Sequence, residues 1–250
     1  CKDLNCVPGT KTCQSDDVYT CDADGMGTTM SKNCTNTQYC DDAKDPVDCA
    51  DMVCDPNEIY CETNNLKECN AKGSSAATLK ECGTGVCDET LENCLFTGTV
   101  GGTTSWNGEN GRRGNFFNCT KNVEVLEFAQ GFDLSANTDL TWAIYEAEGN
   151  STTYKKIFSK ATTVAPNGAS LYSTGTISVS LKSGNKYLFF TGWTGTRNFL
   201  FGPAGGHPVD VGFGSSFNGY SAGFTGTLTD EITNPGTFDR TYRQEIKFTE

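Results

Sequence analysis

Histidine is almost absent from the sequence, and no two cysteines are spaced as Cys-x-x-Cys. The only histidine among 250 residues is His207, which argues against a histidine-based metal site. The missing Cys-x-x-Cys spacing removes the usual signature of zinc ribbons and thioredoxin-like redox sites. No apolar run approaches the ~18 residues expected of a membrane-spanning helix. We therefore predict no metal, no cofactor and no membrane span.

Basic side chains are scarce in the first part of the chain. Residues 1–94 contain 18 Asp and Glu against 7 Lys and no Arg, a net charge of −11, and residues 95–250 contain 13 acidic against 12 basic side chains, a net charge of −1. Together they give the chain its net charge of −12. Nucleic acids and anionic membrane surfaces are bound through Lys and Arg. The charge therefore predicts neither as a direct partner.

The cysteines, in contrast, are abundant and repeat with a period of 48 residues. Thirteen of the 14 lie within residues 1–94. The numbers of residues between successive cysteines are 6, 7, 12, 5 and 8 from Cys6 to Cys49, and 6, 7, 12, 4 and 6 from Cys54 to Cys94. Such self-similarity indicates two copies of one small module.

An even number of cysteines at repeated spacings predicts a disulfide framework formed in an oxidising, extracellular compartment. Two frames fit the spacing. Units at 6–49 and 54–94 leave Cys1 and Cys119 to pair, whereas units at 1–40 and 49–87 leave Cys94 and Cys119. We favour a Cys94–Cys119 bond, because it closes a short loop at the boundary of the repeats. The predicted disulfide residues are Cys1, Cys6, Cys13, Cys21, Cys34, Cys40, Cys49, Cys54, Cys61, Cys69, Cys82, Cys87, Cys94 and Cys119.

Cys1 admits two interpretations. It fits the first residue of a bacterial lipoprotein, in which case a lipid on Cys1 is the only expected link to a membrane. It also lies 48 residues before Cys49, where the last cysteine of a preceding repeat would lie. The first interpretation, combined with the 6–49 frame, makes Cys119 a free thiol.

The fold class predicted from these patterns is all-β, with small disulfide-rich repeats followed by a jelly-roll-like β-sandwich. The expected domains are repeat 1 at residues 1–49, repeat 2 at 50–94, a junction at 95–121 and the sandwich at 122–250. In the repeats we expect strands only near Val18–Cys21 and Leu66–Cys69, with loop elsewhere. Alternating apolar residues and Gly, Asn and Ser turns predict eight sandwich strands, at 122–128, 140–147, 154–160, 175–181, 186–193, 198–201, 224–228 and 241–248.

Three sequence patterns resemble a metal site or a catalytic site, and in each case a structural role is favoured. Residues 22–25, Asp-Ala-Asp-Gly, resemble the start of a calcium loop, but position twelve is Asn33 where an EF-hand needs Glu, so a turn is expected. Gly219-Tyr-Ser221-Ala-Gly223 matches the serine-hydrolase elbow, yet His207 precedes Ser221 and the following residues predict a strand. Glu146 and Glu148 suit a solvated hairpin better than a glycosidase pair. We predict no catalytic residues.

The aromatic residues suggest where a partner would bind. Trp142 and Trp193 lie in alternating apolar strands and are expected in the core, as are most rings of the glycine-rich segment 192–226. Trp106 instead lies in a polar stretch expected to be a loop. With Arg112 and Arg113, it forms the candidate interaction site; the alternative is that Trp106 only covers the junction between the domains.

Two stretches of the chain resemble cysteine-rich repeats of secreted and surface lipoproteins of myxobacteria and related bacteria. The first is Cys6-Val-Pro-Gly, followed by Cys13. The second is Cys54-Asp-Pro, Cys61 and Cys69-Asn-Ala-Lys-Gly, followed by Cys82. The repeats depart from that pattern at 25–27, where a Trp is expected, and at 73–75. A sandwich found in such proteins is similar at residues 113–116, 140–146, 172–175 and 177–179. The resemblance implies a surface location and a modular architecture, and it implies no catalytic residues.

We therefore expect a non-enzymatic extracellular surface protein that serves adhesion by binding a protein or glycan. The alternative is a structural subunit of an extracellular filament or coat, with the acidic repeats as an elongated arm and with self-association as the interaction. A secreted hydrolase is the remote alternative.

Overall fold

The computed structural model describes residues 5–250, which divide into two compact units at the boundary between Cys94 and Leu95. The described residues contain β-strands, turns and loops and no α-helix, so the predicted all-β fold class is confirmed. None of the described residues forms a helix suited to crossing a membrane. Cys1 lies outside the described residues.

The first unit consists of two modules of the same design. In each, the predicted strand is the central strand of a three-stranded antiparallel sheet, so the prediction of loop around it is wrong. The central strands bury Val18 and Leu66, respectively. The strands of this unit are β1 Lys11–Gln14, β2 Asp17–Cys21, β3 Thr28–Lys32, β4 Gln38–Asp41, β5 Asp48–Asp51, β6 Ile59–Glu62, β7 Asn65–Cys69, β8 Ala76–Glu81 and β9 Val86–Asp88.

Six disulfides follow the frame 6–49 and 54–94. In both modules the first cysteine pairs with the third, the second with the fifth and the fourth with the sixth. The predicted Cys94–Cys119 bond is wrong, because Cys94 pairs with Cys82, and Cys119 forms no disulfide. The bonds are Cys6–Cys21, Cys13–Cys40, Cys34–Cys49, Cys54–Cys69, Cys61–Cys87 and Cys82–Cys94.

The turns after the central strands are formed by local hydrogen bonds. The Gly25 amide donates to the Asp22 carbonyl at 2.9 Å, and the Gly73 amide donates to the Asn70 carbonyl at 3.0 Å. The Thr29 hydroxyl donates to an Asp22 carboxylate oxygen. These contacts place residues 22–25 in a turn, as expected.

The remaining strands belong to the β-sandwich of the second unit. Strands 140–147, 154–160 and 186–193 match the prediction closely. The strands are β10 Asn93–Val100, β11 Thr104–Glu109, β12 Gly111–Cys119, β13 Val123–Leu134, β14 Thr138–Ala147, β15 Thr153–Val164, β16 Gly168–Ser173, β17 Val179–Leu181, β18 Lys186–Trp193, β19 Thr196–Phe201, β20 Val209–Asp210, β21 Gly214–Gly223, β22 Glu231–Thr233, β23 Thr237–Phe238 and β24 Gln244–Thr249.

Several of the expected boundaries differ from the structure. Strands β16 and β21 were not predicted, and the strand predicted at 175–181 is confined to 179–181. The predicted junction at 95–121 forms strands β10, β11 and β12, because its residues pair with β24, β19, β18 and β21. The predicted strand at 224–228 is irregular. Gly226 has a φ of +90° there, a conformation that interrupts a strand.

All described strand pairs are antiparallel. In the first sheet, β13 is central: β24 and β19 pair along one side, and β17 and β16 pair along the other. Strand β11 extends this sheet beyond β19. The second sheet has the order β20-β21-β12-β18-β14-β15-β22, and β23 also pairs with β21.

The main core lies between the two sheets. The first sheet contributes rings such as Phe128 and Phe132, and the second contributes Phe189 together with Trp142 and Trp193, which are fully buried as predicted. The outer face of the second sheet is apolar too. It buries residues such as Tyr145 and Phe190, which Leu228 from the irregular segment after β21 and Ile232 of β22 help to cover. The second sheet is therefore packed on both faces.

Candidate functional site

A pocket of about 180 Å³ opens at the end of the sandwich where β11 and β19 of the first sheet meet β12 and β21 of the second. Aromatic rings form most of its wall, and two guanidinium groups and two hydroxyl groups supply its polarity. We call it the aromatic–arginine pocket. Its lining residues are Trp106, Arg113, Phe199, Phe201, Ser221, Phe238, Arg240 and Tyr242.

Trp106 forms the exposed rim of the pocket. It lies on β11 directly opposite Phe199 of β19, and its ring meets the Phe201 ring edge-on with centroids 6.2 Å apart. The side chain is nevertheless 60% exposed. Burying a large indole is favourable, so a tryptophan that is exposed beside buried rings marks a surface suited to contact with a ligand.

Arg113 enters the pocket from the second sheet. On β12 the side chains alternate between faces, and Arg113, Asn115 and Phe117 point between the sheets. The Arg113 guanidinium stacks on the rings of Phe199 and Trp193, at 5.2 and 5.6 Å from their centroids. Loss of hydration on burial lowers the pKa of Arg113. The protein therefore holds a poorly hydrated cation at the inner end of the pocket.

Arg240 is positioned by the segment between β23 and β24. That segment lies against β21 at Gly219, where a Cβ atom would come within 2.1 Å of the Arg240 carbonyl oxygen. Only glycine permits this approach. The His207 Nε2–H donates to the same carbonyl at 3.2 Å, and the Ser216 hydroxyl donates to Nδ1 at 2.9 Å. The backbone of Arg240 is thus fixed from two sides.

Tyr242 lies at the base of the pocket and is nearly fully buried. Burial raises the pKa of its hydroxyl, and the charges of Arg113 and Arg240 and a polar contact with Ser221 oppose that rise. Both guanidinium groups therefore act electrostatically on the same hydroxyl. The pocket concentrates positive charge at its base although the chain as a whole carries a net charge of −12.

The sequence-based candidates divide between the two faces of the second sheet. Trp106 and Arg113 line the same pocket, whereas Arg112 points to the opposite face and stacks on Phe190 and Tyr220. Trp106 is exposed as expected, but it lies on strand β11 and not in a loop. The rings of Phe199 and Phe201 are buried as predicted, and their edges also form the pocket wall.

Sequence reasoning missed Arg240 and Tyr242. A signal for them exists in the composition, because the chain has only five arginines, and two of them flank one tyrosine in Arg240-Thr-Tyr242-Arg243. Their convergence with Trp106 depends on pairing between β11 and β19 and on the approach of the chain at Gly219. Arg240 and Tyr242 lie 134 and 136 residues from Trp106 in the sequence.

The serine-hydrolase motif does not form an elbow. Residues Gly219–Gly223 lie within strand β21, and Ser221 is directly opposite Arg113 of β12. His207 contacts Ser216 instead of Ser221. The elbow requires a sharp strand-to-helix turn and a histidine that activates the serine, and the structure has neither at this motif.

Of the two carboxylates tested in the sequence, Glu146 is part of the scaffold and Glu148 is exposed. One Glu146 oxygen accepts hydrogen bonds from the Tyr187 hydroxyl at 2.6 Å and from the Asn185 amide at 2.9 Å. Within residues 5–250, no cluster of three or more His, Cys, Asp and Glu side chains is arranged to hold a metal ion.

The fold and the pocket together define an all-β protein in which two modules, each with three internal disulfides, precede a sandwich with an aromatic–arginine pocket. No protein-family model matches the sequence, and no curated protein matches it. Among solved structures, it is similar to the cysteine protease and lectin-like domains of Cwp84, a surface layer associated protein of Clostridium difficile. The TM-score is 0.36 and the identity 9%, over 70% of this chain and 38% of that chain. The match thus spans well under half of that chain.

Proposed function

We propose that the protein is a non-enzymatic extracellular surface protein whose sandwich binds carbohydrate through the aromatic–arginine pocket. The exposed ring of Trp106 above a wall of buried rings is the observation that carries this proposal. A flat aromatic face offers a sugar ring an apolar surface, and nearby hydroxyl and guanidinium groups supply oriented hydrogen bonds.

The size of the pocket supports a small ligand unit. Pockets that enclose drug-sized molecules have volumes of roughly 300–1,000 Å³, whereas this pocket measures about 180 Å³. A single sugar ring at the end or side of a glycan chain suits that volume. Such a site serves adhesion when it engages many copies of a glycan at a surface.

The proposed location rests on the disulfides. Six disulfides within residues 5–94 are typical of a protein that matures in an oxidising compartment. The cystine sulfurs also replace much of a conventional core, since Cys40, Cys69, Cys82 and Cys94 are among the few buried side chains of this unit. The fold of these modules therefore depends on oxidation.

A glycan array tests the binding function. Wild-type protein is expected to bind a subset of glycans, and Trp106→Ala is expected to abolish that binding. Ile157→Ala is the matched control, because Ile157 is an exposed apolar residue of the same sandwich outside the pocket. Retention of glycan binding by Trp106→Ala would show that the glycan site lies outside the pocket. The absence of any bound glycan would refute the proposal.

A second candidate is a subunit of an extracellular filament or coat. Among the described residues, strand β11 pairs only with β19, along one of its edges, and its side chains are largely exposed. The other edge is open, and an open strand edge can accept a strand from another molecule. Electron microscopy of the purified protein separates the two functions. Regular fibres that disappear on Asn107→Pro would support assembly through β11, and discrete particles would contradict it.

A further inference from the structure

The two guanidinium groups of the aromatic–arginine pocket have no anionic partner among residues 5–250. The ion pairs among residues 5–250 all involve lysine, and none involves Arg113 or Arg240. The chain carries 31 acidic side chains against 19 basic ones, so carboxylates are plentiful elsewhere on its surface. Arg112, Arg197 and Arg243 form no ion pair within residues 5–250 either, so Arg113 and Arg240 differ from them in that both guanidinium groups line one pocket.

Arg240 is held by rings alone. Its guanidinium carbon lies 4.8 Å from the Phe201 centroid and 5.8 Å from the Phe238 centroid, and its side chain donates no hydrogen bond within the described part of the chain. A guanidinium carries five N–H donors in a planar fork. Stacking between two rings fixes the plane of this fork and leaves its edge free for a ligand.

The Arg113 side chain also has N–H donors that lack an acceptor. Its Nη1 donates to the carbonyl oxygens of Arg112 and Ala222, at 2.9 and 3.0 Å. No described atom accepts a hydrogen bond from Nε or Nη2. Since burial has already removed part of the hydration of this cation, a bound anion would restore both charge balance and hydrogen bonding.

We infer that the sugar bound in the aromatic–arginine pocket carries a carboxylate, which Arg240 binds through its planar fork and Arg113 supports from the inner end of the pocket. The inference rests on the proposed function and specifies its ligand as an acidic sugar such as a uronic or sialic acid residue. A carboxylate matches the guanidinium fork with two parallel hydrogen bonds. Trp106 then contacts the sugar ring, so Trp106 and Arg240 recognise different parts of one ligand.

The experiment compares acidic oligosaccharides with neutral counterparts of the same backbone. Titration calorimetry with the full chain uses an oligogalacturonide and sialyllactose, each beside its neutral form: the carboxyl-reduced oligomer and lactose. We expect at least one acidic member to bind about tenfold or more tightly than its neutral counterpart, the difference typical of hydrogen bonds to a charged group. Rising salt should weaken binding of the acidic member and leave the neutral member unchanged.

Variants assign the carboxylate to Arg240. Arg240→Gln is expected to remove the preference for the acidic member without changing affinity for the neutral one, and Arg240→Lys to retain only part of that preference. Arg112→Gln removes the same charge from the opposite face of the sheet and should leave both affinities unchanged. Near-ultraviolet circular dichroism of each variant verifies the fold.

The outcomes separate the inference from the function on which it rests. Equal binding of acidic and neutral members, both lost in Trp106→Ala, would overturn the carboxylate assignment and keep the carbohydrate site. Stronger binding to sulfated oligosaccharides than to any carboxylated one would also overturn it. An equal loss of preference in Arg112→Gln and Arg240→Gln would show a general effect of charge. Binding of neither class would refute the proposed function itself.

Discussion

The guanidinium of Arg240 stacks on the ring of Phe201 at 4.8 Å, and within residues 5–250 it forms neither an ion pair nor a side-chain hydrogen bond. The stack joins the segment before β24 to strand β19 of the first sheet, and it places a cation beside the exposed Trp106. The side-chain N–H groups of Arg240 therefore have no acceptor among these residues, although the chain is rich in carboxylates, and they are available to a ligand.

Reduction of the disulfides is expected to unfold the first unit and leave the sandwich folded. All six disulfides lie within residues 5–94, whereas all three tryptophans lie in the second unit. Each disulfide typically contributes ~2–4 kcal/mol, and the modules have little other core. Under a reductant without denaturant, we expect unchanged tryptophan fluorescence together with rapid proteolysis within the first 94 residues. A shift of tryptophan emission to that of the unfolded chain would contradict this independence.

Cys119 is expected to be a thiol that reacts only after unfolding. Its side chain is 3% exposed and lies in the core between the sheets, and burial raises the pKa of the thiol. Both effects suppress the reactive thiolate. Iodoacetamide without reductant should therefore label the Cys119 peptide in denaturant and not in buffer. A disulfide to Cys119 in the non-reduced peptide map would refute this assignment.

The position of Cys119 shows what the cysteine pattern can and cannot predict. The 48-residue period predicted two modules and a disulfide framework. Both cysteine frames fit that period equally well, so spacing alone could not distinguish them. The choice depends on strand positions: Cys119 ends β12, and its side chain points inward with Phe117. Spacing along the chain carries no information about the direction of a side chain.

The strands of the sandwich were predictable where apolar residues alternate, as in β14 and β18. Strand β12 was missed because its inward positions include Arg113 and Asn115, which break an apolar pattern. Asn115 is buried because Gln244 and the Tyr242 backbone satisfy its amide from nearly 130 residues away. A polar residue with a distant partner resembles a loop residue when only the sequence is read. Trp106 was expected in a loop for another reason, because strand β11 is largely exposed and its sequence lacks alternating apolar residues.

Buried amides between the sheets should contribute unequally to stability. Gln244 accepts from Asn115 and donates to Gln130 and to the Phe189 carbonyl, whereas the Gln130 amide nitrogen has no partner within residues 5–250. Gln244→Met leaves several buried polar atoms without hydrogen-bond partners and is expected to lower the free energy of unfolding by about 1–3 kcal/mol.

Gln130→Met is the matched comparison. It removes the unsatisfied nitrogen along with one acceptor, so its cost should be clearly smaller than that of Gln244→Met. Urea denaturation of both variants measures the difference. A larger loss of stability in Gln130→Met than in Gln244→Met would contradict the hydrogen-bond assignment.

His207 is expected to make the sandwich less stable as pH falls below neutrality. Burial lowers the pKa of His207 in the folded state, and the Arg240 carbonyl, the Asp239 charge and the Ser216 backbone oppose that shift only in part. The unfolded chain therefore binds a proton at a higher pH, near ~6.5. Stability is complete above that value and is lost as pH falls from it through the folded-state pKa.

The variant His207→Gln removes this titration. Between pH 7 and pH 5, its free energy of unfolding should vary less with pH than that of the wild type. Chemical denaturation across this range provides the measurement. A wild-type free energy that rises on acidification, or identical slopes in the two proteins, would contradict a neutral, buried His207 beneath Arg240.

The most direct test of the binding site uses the three indole N–H groups as internal reporters in an NMR titration with a glycan selected by the array. The Trp142 indole donates to Thr162 and the Trp193 indole to the Gly108 carbonyl, whereas Trp106 is exposed at the pocket rim. The predicted result is a saturable shift of the Trp106 resonance with the Trp142 resonance unchanged. Saturable binding that leaves the Trp106 resonance in place would contradict the assignment of the aromatic–arginine pocket as the glycan site.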